Sequence, residues 1–175
     1  DLLYGLMLRS GNDAAVAIAE YISGDVDSFA ALMNQEAAAM GATRSHFVNP
    51  NGLPDENHYT CVYDMYLIFS NAVKNDTFVS IIGTTSYDVT YTDASGAAVT
   101  HTWENTNQYL TGNATTPDGF QIVGGKTGTT GEAGYCLVLY SYNPSGQPII
   151  SIVFKADGKS NLYLLMNEML QGFAI

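Results

Sequence analysis

The apolar residues of this chain change period near its middle, and that change limits the folds open to it. Leu2, Leu3, Leu6 and Met7 form a stripe at helical spacing, which Ser10-Gly11-Asn12 interrupts. Asp13 is placed to cap a second helix over Ala14–Ile22, ended by Gly24. Phe29, Leu32, Met33, Ala37 and Met40 predict a third helix, stopped by Gly41. Arg44–Tyr59 is dense in turn formers, and Thr60 is expected to cap a helix over roughly Cys61–Lys74. Beyond that the period falls to two. Tyr87, Val89 and Tyr91 alternate, Asp93-Ala94-Ser95-Gly96 turns, and Val99, His101 and Trp103 alternate back as a hairpin. Strands follow over Phe120–Thr129, Tyr135–Tyr142 and Pro148–Phe154, with a closing helix from Ser160. Helices, then consecutive antiparallel strands, then a helix predict an α+β class, an antiparallel sheet flanked by helices, in one domain spanning 1–175.

Charge excludes several partners. The net charge of −11 argues against nucleic acid, which is bound by neutralising phosphates with Lys and Arg, and against anionic lipid. No apolar run has the length of a membrane span, and no signal peptide is seen. Cys61 and Cys136 lie far apart with no C-x-x-C, and His46, His58 and His101 are scattered along the chain. No metal or other cofactor is expected. The two cysteines read as small buried hydrophobes, with a disulfide as the alternative.

Against that acidic background Val123–Tyr135 reads VGGKTGTTGEAGY, a cation amid bare backbone. A phosphate-cradling loop fails, because Phe120 stands where its first glycine belongs and Thr127-Gly128-Thr129-Thr130-Gly131 is poor helix material. As a strand, the segment uses Gly124, Gly125 and Gly128 to clear a face for another backbone or an extended ligand. A bulged edge strand with a solvated lysine is the plainer alternative. Ser10-Gly11-Asn12, by itself, reads as a helix cap.

Taken in order, S-x-N and K-T-G are two of the three motifs of active-site serine penicillin-binding proteins and β-lactamases. The longer stretches SGNDAAVAIAEYISG, FAALMNQEAAAMGATRSHFVNPNGL, YDMYLIFSNAV and KTGTTGEAGYCLV resemble the D-alanyl-D-alanine carboxypeptidases, the low-molecular-weight penicillin-binding proteins, along essentially the whole chain. The resemblance implies a penicillin-binding/β-lactamase-like transpeptidase fold and a serine-type carboxypeptidase of the bacterial envelope. Its substrates would be D-Ala-D-Ala stem peptides of peptidoglycan, and β-lactams would acylate it. By the motif match, Ser10 relays a proton to the departing amine and Asn12 holds the substrate peptide. Lys126 supplies positive potential, Thr127 and Gly128 lie along the substrate carboxylate and peptide, and the Thr129 N–H is half of the oxyanion hole.

Two features depart from the family pattern. The third motif, S-x-x-K, is absent, since no serine here is followed three places later by lysine. The chain is therefore expected to be catalytically silent alone and to lack the fold's N-terminal strands and nucleophile helix. The family's arginine before the last helix is also missing. Counting back from Gly172-Phe173 puts Asn161 in its place, with Lys159 nearby as a substitute of poorer geometry. Two other readings stay open: a β-lactamase, and a non-catalytic module that binds peptidoglycan or a partner chain. Finally, Pro148–Phe154, PIISIVF, carries no charge. If upstream strands are missing, this edge is expected to pair with a second copy or with the segment that bears them.

Overall fold

The computed structural model describes residues 1–172. Its elements are α1 (Leu2–Arg9), α2 (Asn12–Ser23), α3 (Val26–Ala39), α4 (Val62–Ala72), α5 (Asp76–Ile82), β1 (Ser86–Thr92), β2 (Ala98–Glu104), β3 (Gln121–Thr130), β4 (Gly134–Tyr142), β5 (Pro148–Ala156) and α6 (Lys159–Gly172). The class is α+β, with antiparallel sheets flanked by helices. Phe173, from which the arginine position was counted, lies outside the described residues.

The strands follow one another antiparallel but do not form one sheet. β3-β4-β5 make a three-stranded sheet, while β1-β2 stand apart as a hairpin with Tyr87 opposite Trp103 and Val89 opposite His101. The hairpin turns toward α1 rather than toward β3. Tyr87 stacks on Tyr4 at 3.9 Å between ring centroids and donates its hydroxyl to Asp1 Oδ1 at 2.6 Å. Trp103 lies over Gly5, so close that a Cβ there would stand 3.2 Å from the indole. Aromatic area buried on α1 thus replaces strand pairing.

The core follows from the alternation of β4 and β5. Leu137, Leu139 and Val153 pack on one face against Leu162, Met166 and Leu170 of α6. Val138 and Ile152 point the other way, onto Phe69 of α4 and Ile82 of α5. Among the described residues, β5 has a strand neighbour on one side only.

Two expected caps lie elsewhere. Gly11, not Asp13, caps α2, and the Asp13 carboxylate accepts the Ala14 N–H at 2.9 Å instead. Cys61 stands at the cap of α4, because the Thr60 hydroxyl is engaged 2.8 Å from Ser45 Oγ. Ser45 in turn donates to Asp64 Oδ2 at 2.8 Å, and the Arg44 N–H donates to the same oxygen at 2.6 Å. Burial alone would raise the pKa of Asp64. The hydrogen bonds from Ser45, Arg44 N–H and Cys61 hold it below the ordinary carboxylate range.

Helix α5 is not evident from the sequence. It spans only seven residues, too few for a period to show, although Asn75 caps it through the N–H groups of Thr77 and Phe78. Its packing decides between the two roles open to the β3 glycines. A Cβ on Gly124 would lie 2.5 Å from the Ile82 carbonyl oxygen, where the end of α5 rests on the strand. A Cβ on Gly125 would run into the Val138 carbonyl of β4, beside a register shift between Ile122 and Gly124. These two glycines admit the protein's own backbone, on two different sides. Only Gly128 is open, its nearest neighbour being Cys136 Cβ at 4.0 Å.

Gly124→Ala should accordingly lower the melting temperature by roughly 2–12 °C, from about 1–3 kcal/mol of overpacking. Gly128→Ala should move it by less than about 2 °C. Thermal denaturation followed by circular dichroism separates the two, and equal shifts would contradict this account of the glycines.

Candidate active site

The site begins at the break between α1 and α2. Ser10 ends α1 in the left-handed region, at φ 55 and ψ 43, and its N–H closes on the Gly5 carbonyl. The N–H of Gly11 reaches the same oxygen at 3.1 Å. This tight ending throws the Ser10 side chain out of the helix toward β3. Asn12, the first residue of α2, follows on the surface.

The strand meets it. Lys126 Nζ donates to Ser10 Oγ and, at 2.6 Å, to the carbonyl of Thr127. Lys126 is partly buried, and burial pushes its pKa from 10.5 down to about 8. An amine poised there can lose its proton near neutral pH, which lets Ser10 and Lys126 pass a proton between them. The hydroxyl of Thr127 takes a different partner, Thr106 Oγ1 at 2.6 Å.

Ser10, Asn12 and Lys126 to Thr130 line one cavity of about 580 Å³. The same cavity is lined by a wall segment, Asn49-Pro50-Asn51-Gly52-Leu53, with His58, and by the apolar Met33, Met65, Phe69 and Phe78. The wall segment is well tied for a loop. Asn49 accepts the Gly52 N–H at 2.8 Å and donates to the Leu53 carbonyl at 2.9 Å. The Val48 N–H donates to His58 Nδ1 at 3.2 Å, and Asn34 bonds both the N–H and the carbonyl of Phe47. Along the cavity β3 shows a free edge, since among the described residues it pairs with β4 alone, and Gly128 and Thr129 are exposed there. Such an edge can accept an extended peptide as an added strand.

Six of the seven residues expected from sequence therefore come together: Ser10, Asn12, Lys126, Thr127, Gly128 and Thr129. Lys159 does not join them. It opens α6 and lines none of this cavity. Sequence reasoning passed over Thr106, the Asn49–Leu53 wall, His58 and Cys136, which also faces the cavity. Cys136 and Cys61 are both free thiols and only half-buried, so they neither pair nor sit in the core as the buried hydrophobes expected. The turn residues of the wall were visible, but nothing local tied them to Lys126.

The family model described as D-alanyl-D-alanine carboxypeptidase matches residues 1–158. The chain is 34% identical over 171 residues to the D-alanyl-D-alanine carboxypeptidase DacF of Bacillus subtilis, covering 97% of this chain and 41% of that protein. It is 35% identical over 185 residues to a D-alanyl-D-alanine carboxypeptidase of Streptomyces sp. strain K15, covering 99% of this chain and 60% of the other. Among solved structures, the Streptomyces K15 DD-transpeptidase superposes with a TM-score of 0.87 at 33% identity, over 99% of this chain and 67% of that one. The chain thus spans less than two thirds of the length of these curated relatives.

The lowered Lys126 pKa makes stability depend on pH with a definite sign. Between about pH 8 and 10.5 the unfolded chain keeps a proton that the folded chain releases, so this group makes stability rise through that window and leaves it flat on either side. Lys126→Met should remove that rise. Urea denaturation of both proteins across the window isolates it by difference, and identical pH profiles would contradict the buried-amine assignment.

Proposed function

Because this chain belongs to the D-alanyl-D-alanine carboxypeptidase family, we propose that it is the S-x-N and K-T-G part of a serine-type D-Ala-D-Ala carboxypeptidase of the bacterial cell envelope. The substrates are peptidoglycan stem peptides, and the nucleophile comes from a segment outside these 175 residues. The observation that carries the reading is the contact of Lys126 Nζ with Ser10 Oγ beside the free edge of β3.

In this mechanism the stem peptide lies along β3 as an added strand, its terminal carboxylate facing Lys126 and Thr127. A serine from S-x-x-K attacks the carbonyl between the two D-alanines, its proton taken by the lysine of that motif. A bond forms from serine oxygen to carbonyl carbon, and the oxyanion is held by the Thr129 N–H and the nucleophile's own N–H. As the C–N bond breaks, Ser10, bonded to Lys126, delivers a proton to the leaving D-alanine amine. Asn12 holds the substrate peptide. Water then hydrolyses the ester. A β-lactam enters by the same attack, its carboxylate taking the place of the peptide terminus. A β-lactamase would need a group to activate deacylating water, and among the described residues the cavity is lined by no glutamate.

A fluorescent penicillin separates the enzyme from a mere binding module. The 175-residue chain should stay unlabelled, whereas the protein including an upstream S-x-x-K should be labelled covalently. Labelling of the short chain at any serine would contradict the assignment of the nucleophile to another segment. In the labelled protein, Lys126→Ala should slow acylation and peptide turnover by on the order of 10²-fold or more, and Ser10→Ala should slow turnover by about 10²-fold.

The edge of β5 belongs to the same proposal. Pro148–Phe154 presents an uncharged run with unpaired backbone on its outer side. The 175-residue chain should dimerise there, or pair with a chain bearing the upstream strands. Size-exclusion chromatography with light scattering tests this. A monomer unchanged by concentration, with fast amide exchange along Ile149–Val153, would overturn it.

A further inference from the structure

We propose that Thr106 is a positioning residue for the substrate's terminal carboxylate, acting through the hydroxyl of Thr127. This deepens the carboxypeptidase reading and rests on it. Thr106 lies in the connection between the hairpin and β3, outside both motifs.

Three observations carry the inference. The hydroxyls of Thr106 and Thr127 are 2.6 Å apart, and among the described residues Thr127 is the only partner of the Thr106 side chain. The Thr106 N–H donates to the carbonyl of Leu8 at 3.2 Å, on the turn of α1 that presents Ser10. One residue thus ties the frame that carries Ser10 to the strand that carries Lys126 and Thr127. Its own support is rigid. The buried Asn105 donates to the Thr84 carbonyl at 2.9 Å and accepts the Asn107 N–H at 2.9 Å. The buried Asn107 accepts the Tyr109 N–H at 3.2 Å, and the Gln108 N–H donates to the Tyr163 hydroxyl at 2.7 Å.

Proton counting gives the pair a direction. Each hydroxyl has one proton and can also accept, so the two alone can order either way. A carboxylate only accepts. It binds Thr127 when Thr127 turns its proton outward, and Thr127 is then left to accept from Thr106. Thr106 therefore donates to Thr127, and Thr127 donates to the carboxylate, a chain in which each bond polarises the next. Replacing Thr106 by valine keeps the shape but removes the donor, leaving the Thr127 oxygen unpaired and its rotor unset.

The test uses the protein at its full encoded length and two probes, an N-acyl-D-Ala-D-Ala peptide and its C-terminal amide. By titration calorimetry Thr106→Val should weaken the free acid about tenfold and the amide less than about twofold, and Thr106→Ser should restore acid binding. In turnover, KM should rise with kcat nearly unchanged. Thr127→Val should give a similar loss of acid binding, and the double variant no more than either alone. Unchanged acid binding by Thr106→Val, equal losses for acid and amide, or additive losses in the double variant would each overturn the proposal. Failure of the unmodified protein to bind or cleave the peptide would instead bring down the carboxypeptidase reading, and this inference with it.

Discussion

Lys126 Nζ joins the two halves of this molecule, and much of the structure answers its needs. An ammonium drawn out of water must find acceptors, or its pKa falls until it sheds the charge. Here two acceptors are supplied, Ser10 Oγ from the helical layer and the Thr127 carbonyl from the strand itself, and the pKa still falls to about 8. For Ser10 to reach it, the end of α1 adopts a left-handed turn that costs a non-glycine residue about 1–2 kcal/mol. That strain sits at the point where the Ser10 hydroxyl meets Lys126.

The rest of the scaffold fixes where β3 lies relative to that turn. The end of α5 rests on the bare backbone of Gly124, and β4 crowds Gly125, so the strand cannot slide without a clash. Thr106 closes the frame from the third side, bonded to Leu8 and to Thr127. The opposite edge of the strand is left free beside a cavity of about 580 Å³. With a net charge of −11 the protein does not draw an anionic ligand from a distance. Attraction has to come from within a Debye length of about 8–10 Å, where Lys126 lines the cavity.

Much of this was legible in the sequence because it is local. The period change after residue 74, the turn at Asp93–Gly96 and the two short motifs each depend on neighbours within a few residues. The motifs in order then implied which side chains converge, and six of seven do so. What stayed hidden depends on contacts between distant segments. The β3 glycines read as room for either another backbone or a ligand, and only α5 against Gly124 decides for backbone there. Thr60 looks like a cap until its hydroxyl is found beside Ser45. The hairpin looks like part of a continuous sheet until Tyr4 and Trp103 are seen to hold it on α1. Thr106 carries no motif, and only its distance to Thr127 marks it. Lys159 was chosen for its charge near the arginine's place, and it opens α6 outside the lining of the cavity.

The central claim is that the cavity between Ser10 and β3 receives a peptide ending in D-Ala-D-Ala along the strand edge. Amide chemical-shift mapping of the isotope-labelled protein with an N-acyl-D-Ala-D-Ala peptide and with its L-Ala-L-Ala counterpart tests it most directly. The D,D peptide should perturb the amides of Thr127, Gly128 and Thr129 together with Asn12, and the L,L peptide should leave them in place. Perturbations that cluster elsewhere, or that do not depend on the configuration of the peptide, would contradict it.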